Sequence, residues 1–388
     1  MVRRCRISMP LIVPRHRSYV EVTFAQTSIT LRDGWTRRPR VPLSCAVVQV
    51  ALESVMHPLR SPLATSYGEV HERGAYLLTL TARDGVTGRG EAAPLEAYDG
   101  VPLEIVGAAL ERYAEVLADD RGRSGPQLLD ACREVADLPQ ALAAVDMALW
   151  DAAGRRTGRP VCALLNDEWL DAVPVNATIG ATDRVEAAEA AAAAADAGYE
   201  CVKVKVGIGD DAGRVAAVRR AVGDGVALRV DANGAWSVDE AIRAIDALSV
   251  SGLELVEEPV SGISELRAVR ERVPIRIAMD ETAAEHGAIA SGAADAVCLK
   301  VSRAGGISAL LAQAMLVRST GAEVYIASTL DGPLGIAAAV HCAAALKVEL
   351  PCGLATLGML ADEGAPPDGA LAISHGRLRV PAGPGLLG

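Results

Sequence analysis

The sequence predicts an α/β chain in which an α+β segment precedes a closed, mostly parallel barrel. Short β-branched runs begin near Val173, Cys201, Val226, Leu253, Ile275, Ala296 and Glu323, at intervals of 21 to 28 residues. Between them lie Ala-rich helical stretches such as Arg184 to Ala197, Asp239 to Leu248 and Ile307 to Thr320, each long enough to return over a parallel sheet. The 388 residues are 51% hydrophobic but only 3% aromatic, with a single Phe, so the core has to be built from Ala, Val, Leu and Ile.

Taken in order, residues 1–40 stand apart. Nine Arg and no Lys face only Glu21 and Asp33, a net of +7. With no sustained apolar run, and with Pro10 and Pro14, they read as a disordered extension or as sequence upstream of the true start, rather than a targeting arm. Residues 41–91 favour strands: Ala46 to Val50 and Ala75 to Leu80 are rich in branched and aromatic residues, and the second run leads to the turn Asp84-Gly85. Residues 102–120 and 126–157 then read as helices, Leu142, Val145 and Leu149 marking an apolar face. Seven βα units follow, with an eighth strand near Gly353 to Thr356 to close the barrel. A doubly wound open sheet is the alternative, weakened because no G-x-G-x-x-G follows an early strand.

Composition narrows the function classes. The net charge of −11 argues against nucleic acid or an anionic membrane as the main partner and favours a small-molecule enzyme. The eight cysteines, at 5, 45, 132, 162, 201, 298, 342 and 352, form no C-x-x-C and read as buried residues in a reducing cytoplasm. The longest apolar stretch, Val324 to Leu346, is interrupted by Asp331, Gly332, Pro333 and His341, so no membrane span is expected. The six histidines form no H-x-x-x-H or H-x-x-H pair, which argues against zinc; His341 is expected to be a packed residue. Gly305-Gly306 reads either as a tight turn or as an anion-binding helix start.

The strand ends carry the chemistry. In Cys201 to Val206, Lys203 and Lys205 share one face and the valines the other; a barrel turns those lysines inward, where ammonium groups are costly unless something uses them. The next strands end in Asp231, in Glu257-Glu258 and in Asp280-Glu281, and the sixth ends in Lys300. A single acid at a strand end is commonly a helix cap. Three in succession on the C-terminal face of a barrel converge on one point and form a hard oxygen set suited to Mg²⁺.

With these residues in place, the chain resembles the enolase superfamily, in its muconate-lactonizing subgroup, over residues 45–388. The motifs are KVKVG at 203–207, DANGAW at 231–236, EEP at 257–259, DET at 280–282 and KVSRAGG at 300–306, with AVDMALWDAAGRRTGRPV from Ala144 similar to the family's approach to its barrel. The resemblance implies a (β/α)7β TIM-type barrel over 151–356, an N-terminal α+β capping domain over 41–150, and a C-terminal segment, 357–388, packing on the cap. It implies that Asp231, Glu257 and Asp280 bind Mg²⁺, with Mn²⁺ as the alternative, and that Lys205 and Lys300 are acid/base groups on opposite faces of a carboxylate substrate. Lys203 would tune Lys205 or touch the substrate, with Asn233 and Glu258 supporting the site. The chemical need is general: a proton beside a carboxylate is so weakly acidic that the enediolate must be stabilised as it forms.

Within the superfamily, Ile326 to Asp331 and Cys352 to Leu357 resemble o-succinylbenzoate synthases, which dehydrate a succinyl-hydroxycyclohexadiene carboxylate in menaquinone biosynthesis. That likeness makes Ser328, Thr329 and Asp331 substrate-binding candidates. Dipeptide epimerases are similar over Leu330 to Leu334, but typically have Asp-x-Asp where this chain has Thr329-x-Asp331. Arg303, three residues after Lys300, resembles the arrangement in synthases that also racemise N-succinylamino acids, and is the fourth substrate-binding candidate. A muconate-type cycloisomerase and a non-catalytic carboxylate-binding barrel complete the alternatives, the chain acting alone or as a homo-oligomer.

Overall fold

The computed structural model describes residues 47–65, 68–119, 122–180, 183–361 and 369–388; the extension expected at 1–40 lies outside them. Three antiparallel strands open the cap, β1 (Val47–Thr65), β2 (Gly68–Ala82) and β3 (Thr87–Ala92), in the order β1-β2-β3. The β2–β3 turn is the expected one: Gly85 has φ +81°, and Asp84 Oδ1 accepts from Val86 N at 3.2 Å. A single turn, α1 (Glu96–Asp99), leads to α2 (Leu103–Ala118), α3 (Gly125–Val135), α4 (Pro139–Thr157) and α5 (Val161–Leu165). The helix expected over 126–157 is thus two helices. Pro139 drives Leu138 into extended backbone (φ −127°, ψ 101°) and then occupies the first helical position, where its missing N–H costs nothing.

Helix α4 joins the two layers. It is buried on every side from Gln140 to Gly154, not only on the Leu142, Val145 and Leu149 face. Strand β3 presses on its backbone at two glycines: a Cβ would lie 2.0 Å from Ala148 O at Gly88 and 1.9 Å from Ala144 O at Gly90. The division expected at 150 therefore falls inside this helix.

The chain next forms β4 (Ala172–Pro174), β5 (Ala177–Ile179), α6 (Arg184–Asp196), β6 (Cys201–Lys205), α7 (Asp211–Val222), β7 (Ala227–Asp231), α8 (Val238–Ser249), β8 (Leu253–Glu257), α9 (Ile263–Arg270) and β9 (Arg276–Met279). Two 3₁₀ turns, Glu281–Ala284 and Ala288–Ala290, replace a helix before β10 (Ala296–Leu299), and α10 (Val301–Ala304), α11 (Ile307–Ser319), β11 (Glu323–Ile326) and α12 (Pro333–Ala345) follow. Seven parallel strands run β11-β10-β9-β8-β7-β6-β5. The run at Val173 stays out of this sheet: Pro174 ends it, and β4 pairs antiparallel with β13 (Arg377–Arg379), itself in a hairpin with β12 (Ile373–Ser374). In place of a full eighth strand, Cys352 bridges Val175 and Gly353 bridges Ala327, which joins the two ends of the sheet.

Asp146 of α4 accepts from Ser308 N at 2.8 Å and from Ser308 Oγ at 2.7 Å at the start of α11, so a protein carboxylate caps the helix that follows Gly305-Gly306. Among the described residues the C-terminal segment touches the cap at its start, where Ala361 N donates to Pro58 O at 2.7 Å; farther on it pairs with β4, and Leu386 N donates to Asp151 Oδ1 of α4 at 2.7 Å. The six cysteines among the described residues are buried and free. No described helix is long and apolar enough to cross a membrane.

His341 is packed, as its place on an Ala-rich helix suggested. Its Nδ1 accepts from Cys162 N at 3.3 Å, so Nε2 carries the proton and donates to Leu386 O at 2.9 Å. Burial holds its pKa down at about 4. The unfolded chain, with an ordinary imidazole near 6.5, binds the proton first, so His341 contributes stability in full above pH 6.5 that is lost as pH falls through 4. The full loss is roughly 3 kcal/mol, of which about 2 kcal/mol falls between pH 7 and pH 5. Urea unfolding at pH 7 and pH 5 checks it: His341→Gln should narrow the difference between the two pH values, and an unchanged difference would refute it.

Candidate active site

The ends of β6 to β10 bring the charged residues into one cluster. Strand register fixes the first of them: Lys205 lies opposite Asp231, and Asp231 opposite Glu257. Because side chains alternate along a strand, Lys203 and Lys205 both point into the barrel. Lys203 Nζ donates to Asp231 Oδ2 at 2.9 Å and to both Glu257 oxygens at 3.0 and 3.1 Å. Lys205 Nζ donates to Asp231 Oδ2 at 2.7 Å and to Asn233 Oδ1 at 2.9 Å. The lysines differ in access: the Lys205 side chain is 23% exposed, that of Lys203 11% and that of Lys300 6%. Lys205 is therefore the best placed of the three to meet a substrate.

On the other side, Lys300 Nζ contacts Asp280 Oδ1 and donates to Tyr98 Oη at 2.9 Å. Asn233, in left-handed backbone (φ +46°), links the two sides by donating Nδ2 to Glu281 Oε1 at 2.9 Å. Glu258 points away from the carboxylate cluster and shapes the turn carrying Asp280: it accepts from Asp280 N at 2.7 Å, from Thr282 N at 2.9 Å and from the Thr282 hydroxyl. Burial, then the neighbouring Glu281, pushes its carboxyl up to about 8.

Electrostatics divide the carboxylates. Burial alone would raise Asp231 and Asp280, but Lys203 and Lys205 beside the first, and Lys300 beside the second, hold both below the ordinary range. Burial opposes charge on Lys203 and Lys300 as well, yet the facing carboxylates keep both ammoniums protonated well past neutrality. Lys203 is thus engaged by Asp231 and Glu257 and does not face Lys205 as an uncompensated charge.

These residues fit a divalent cation. One ammonium, Lys203, already lies within hydrogen-bond distance of both Asp231 and Glu257, so the two carboxylates are close enough to share a positive charge. Ligand atoms of Glu257, Asp280 and Cys298 lie within 4.8 Å of one another. The Cys298 thiol, which burial pushes far above its ordinary value, is a poor partner for a hard ion, leaving the carboxylates as the oxygen set that suits Mg²⁺.

The candidates after β11 lie differently. Ser328 Oγ is 2.8 Å from Thr356 Oγ1, and Thr329 Oγ1 donates to Asp331 Oδ1 at 2.8 Å. Thr329 and Asp331 are buried, and burial raises the pKa of the Asp331 carboxyl, opposed only in part by the Thr329 hydrogen bond and the charge of Arg73 of β2. Arg303 Nη1 donates to Tyr98 Oη at 2.7 Å. Tyr98 and Arg73 are the residues that sequence reasoning missed. The only local signal for Tyr98 was the turn Asp99-Gly100 after a cap strand; nothing in the sequence aims it at residues two hundred positions later.

Comparison with known proteins finds two family matches: the model for the mandelate racemase/muconate lactonizing enzyme N-terminal domain covers residues 47–166, and that for the enolase C-terminal domain-like family covers residues 186–387. The o-succinylbenzoate synthase of Thermobifida fusca is 43% identical over 201 residues, 49% of this chain, so the match spans about three fifths (61%) of that relative's length. The L-Ala-D/L-Glu epimerase of Bacillus subtilis is 27% identical over 314 residues, 78% of this chain and 86% of that enzyme. The dipeptide epimerase of Enterococcus faecalis, solved with Mg and the dipeptide L-Leu-L-Tyr, superposes with a TM-score of 0.79 at 26% identity, covering 88% of this chain and 99% of that one.

Proposed function

Because the chain belongs to the enolase superfamily, enzymes of lyase or racemase type, we propose that it is an o-succinylbenzoate synthase, removing the proton α to a carboxylate and expelling water from a succinyl-hydroxycyclohexadiene carboxylate. The observation that carries this reading is the placement of Asp331. Its carboxyl is buried and bonded by Thr329, Glu91 beside the same loop is engaged by Gly332 N and Gly335 N, and position 329 holds a hydroxyl, so the segment after β11 offers no free pair of carboxylates to a substrate ammonium. The identity to the Thermobifida synthase supports the same choice.

Asp231, Glu257 and Asp280 would hold Mg²⁺, which when bound would supply charge to offset the second negative charge developing on the substrate carboxylate. Lys205, the most open lysine, takes the α-proton as a neutral amine and, as the ammonium so formed, gives it to the departing hydroxyl on the same face, which leaves as water; Asp231 and Asn233 fix its nitrogen for both transfers. Lys300, held by Asp280 and Tyr98, places a fixed positive charge on the opposite side.

Arg303 favours one second reading, racemisation of N-succinylamino acids, because it adds a cation to the Lys300 side through Tyr98. A turnover screen of the Mg²⁺-loaded protein with the cyclohexadiene carboxylate, N-succinylamino acids and dipeptides tests the proposal. Dehydration is the expected result. Epimerisation of dipeptides with no dehydration would overturn it.

A further inference from the structure

We propose that Tyr98 is a positioning residue through which the cap sets Lys300 and through which Arg303 acts on it, a step that rests on the reading of Lys300 as part of the reaction. The Tyr98 hydroxyl has one proton and two lone pairs, and all three are engaged. It donates to Asp280 Oδ1 at 2.8 Å and accepts from Lys300 Nζ at 2.9 Å and from Arg303 Nη1 at 2.7 Å. The ring serves the same two cations: Lys300 Nζ lies 4.8 Å and Arg303 Cζ 4.7 Å from its centroid.

Arg303 repels Lys300 through space, but a directional hold on the position of Lys300 Nζ needs a shared hydrogen-bond acceptor. Tyr98 Oη is bonded to both. The tyrosine is itself held firmly: the next residue, Asp99, accepts from Leu95 N at 3.2 Å, Val101 N at 3.0 Å and Gln140 Nε2 at 3.1 Å, which ties α1 to the loop and to α4. Lys300 is thus aimed by a residue of the cap and not by its own strand alone. A substrate that displaced α1 would release Lys300 from Tyr98, while Lys205, held by Asp231 and Asn233, would keep its place.

Tyr98→Phe keeps the ring and removes the oxygen. With an N-succinylamino acid as probe, each enantiomer exposes its α-proton to one lysine, so deuterium exchange reads the two faces separately. The variant should lose about tenfold or more of the exchange on the Lys300 face, the scale of a misplaced transfer group, with the Lys205 face changed less than about twofold. Arg303→Met should reduce the same face alone, Arg303→Lys should restore part of it, and adding Arg303→Met to Tyr98→Phe should cost nothing further. Labelling with acetic anhydride, read by mass spectrometry without substrate or metal, should show Lys300 more reactive relative to Lys205 in Tyr98→Phe than in the wild type.

Equal losses on both faces, or additive effects of the two substitutions, would overturn the proposal. So would an unchanged Lys300 labelling ratio. If the wild type exchanges neither enantiomer, the racemase reading, in which Lys300 transfers a proton, falls, and the labelling ratio alone decides whether Tyr98 positions the Lys300 charge. If Tyr98→Phe does not fold, the Lys300 labelling ratio in Arg303→Met decides, an unchanged ratio overturning the proposal.

Discussion

Asp231→Asn, Glu257→Gln and Asp280→Asn should each abolish Mg²⁺-dependent turnover. Each removes one of three carboxylates converging from successive strands, and with it part of the charge that holds the cation. Loss of the metal's offset to the developing negative charge costs on the order of 4 kcal/mol, about a thousandfold in rate. Calorimetric titration with Mg²⁺ measures the binding directly, and circular dichroism reports whether the fold persists. Asp231→Asn should be the least stable of the three, because it leaves both Lys203 and Lys205 short of a partner, and unpairing a buried ion pair costs about 3–5 kcal/mol. Wild-type Mg²⁺ affinity in all three variants would remove the basis for the site.

Lys205→Ala and Lys300→Arg should separate a dehydratase from a racemase. In a syn elimination one lysine removes the α-proton and protonates the departing hydroxyl, so Lys205→Ala should lose dehydration by at least ~3 kcal/mol, about two orders of magnitude. Lys300→Arg keeps the positive charge between Asp280 and Tyr98, and should retain measurable dehydration. Racemisation needs a proton donor on each face, and Arg stays protonated at working pH, so the same variant should lose it. Turnover of the cyclohexadiene carboxylate, run beside deuterium exchange into each enantiomer of an N-succinylamino acid, measures both. If the wild type dehydrates nothing yet exchanges both enantiomers, and Lys300→Arg exchanges only one, the synthase reading gives way to the racemase.

Much of this site is legible in the sequence because it is repetitive. Strand-ending residues at regular βα intervals must fall on one face of a parallel barrel, so Asp231, Glu257, Asp280 and Lys300 could be grouped before any coordinates existed. The parity of Lys203 and Lys205 similarly required only strand periodicity. Local periodicity failed where a local choice was reversed by pairing elsewhere: β4, strand-like at Val173, was drawn to β13, and the segment near Gly353 contributes two bridging residues instead of a strand.

By itself the sequence determined the βα order, the cluster of acids and lysines, and the Ala-rich packing, since each follows from spacing along the chain. Only the tertiary structure decided which of these groups remain open to a substrate. Burial and the Thr329 hydrogen bond engage the Asp331 carboxyl, and Tyr98 reaches Lys300 across two hundred residues; the second contact depends on how the cap sits over the strand ends. That placement is set by the close fit of β3 on α4 at Gly88 and Gly90 and by the Asp146 contact with α11. These are packing distances between remote segments, and a hydrophobic or charge pattern along one segment carries no information about them.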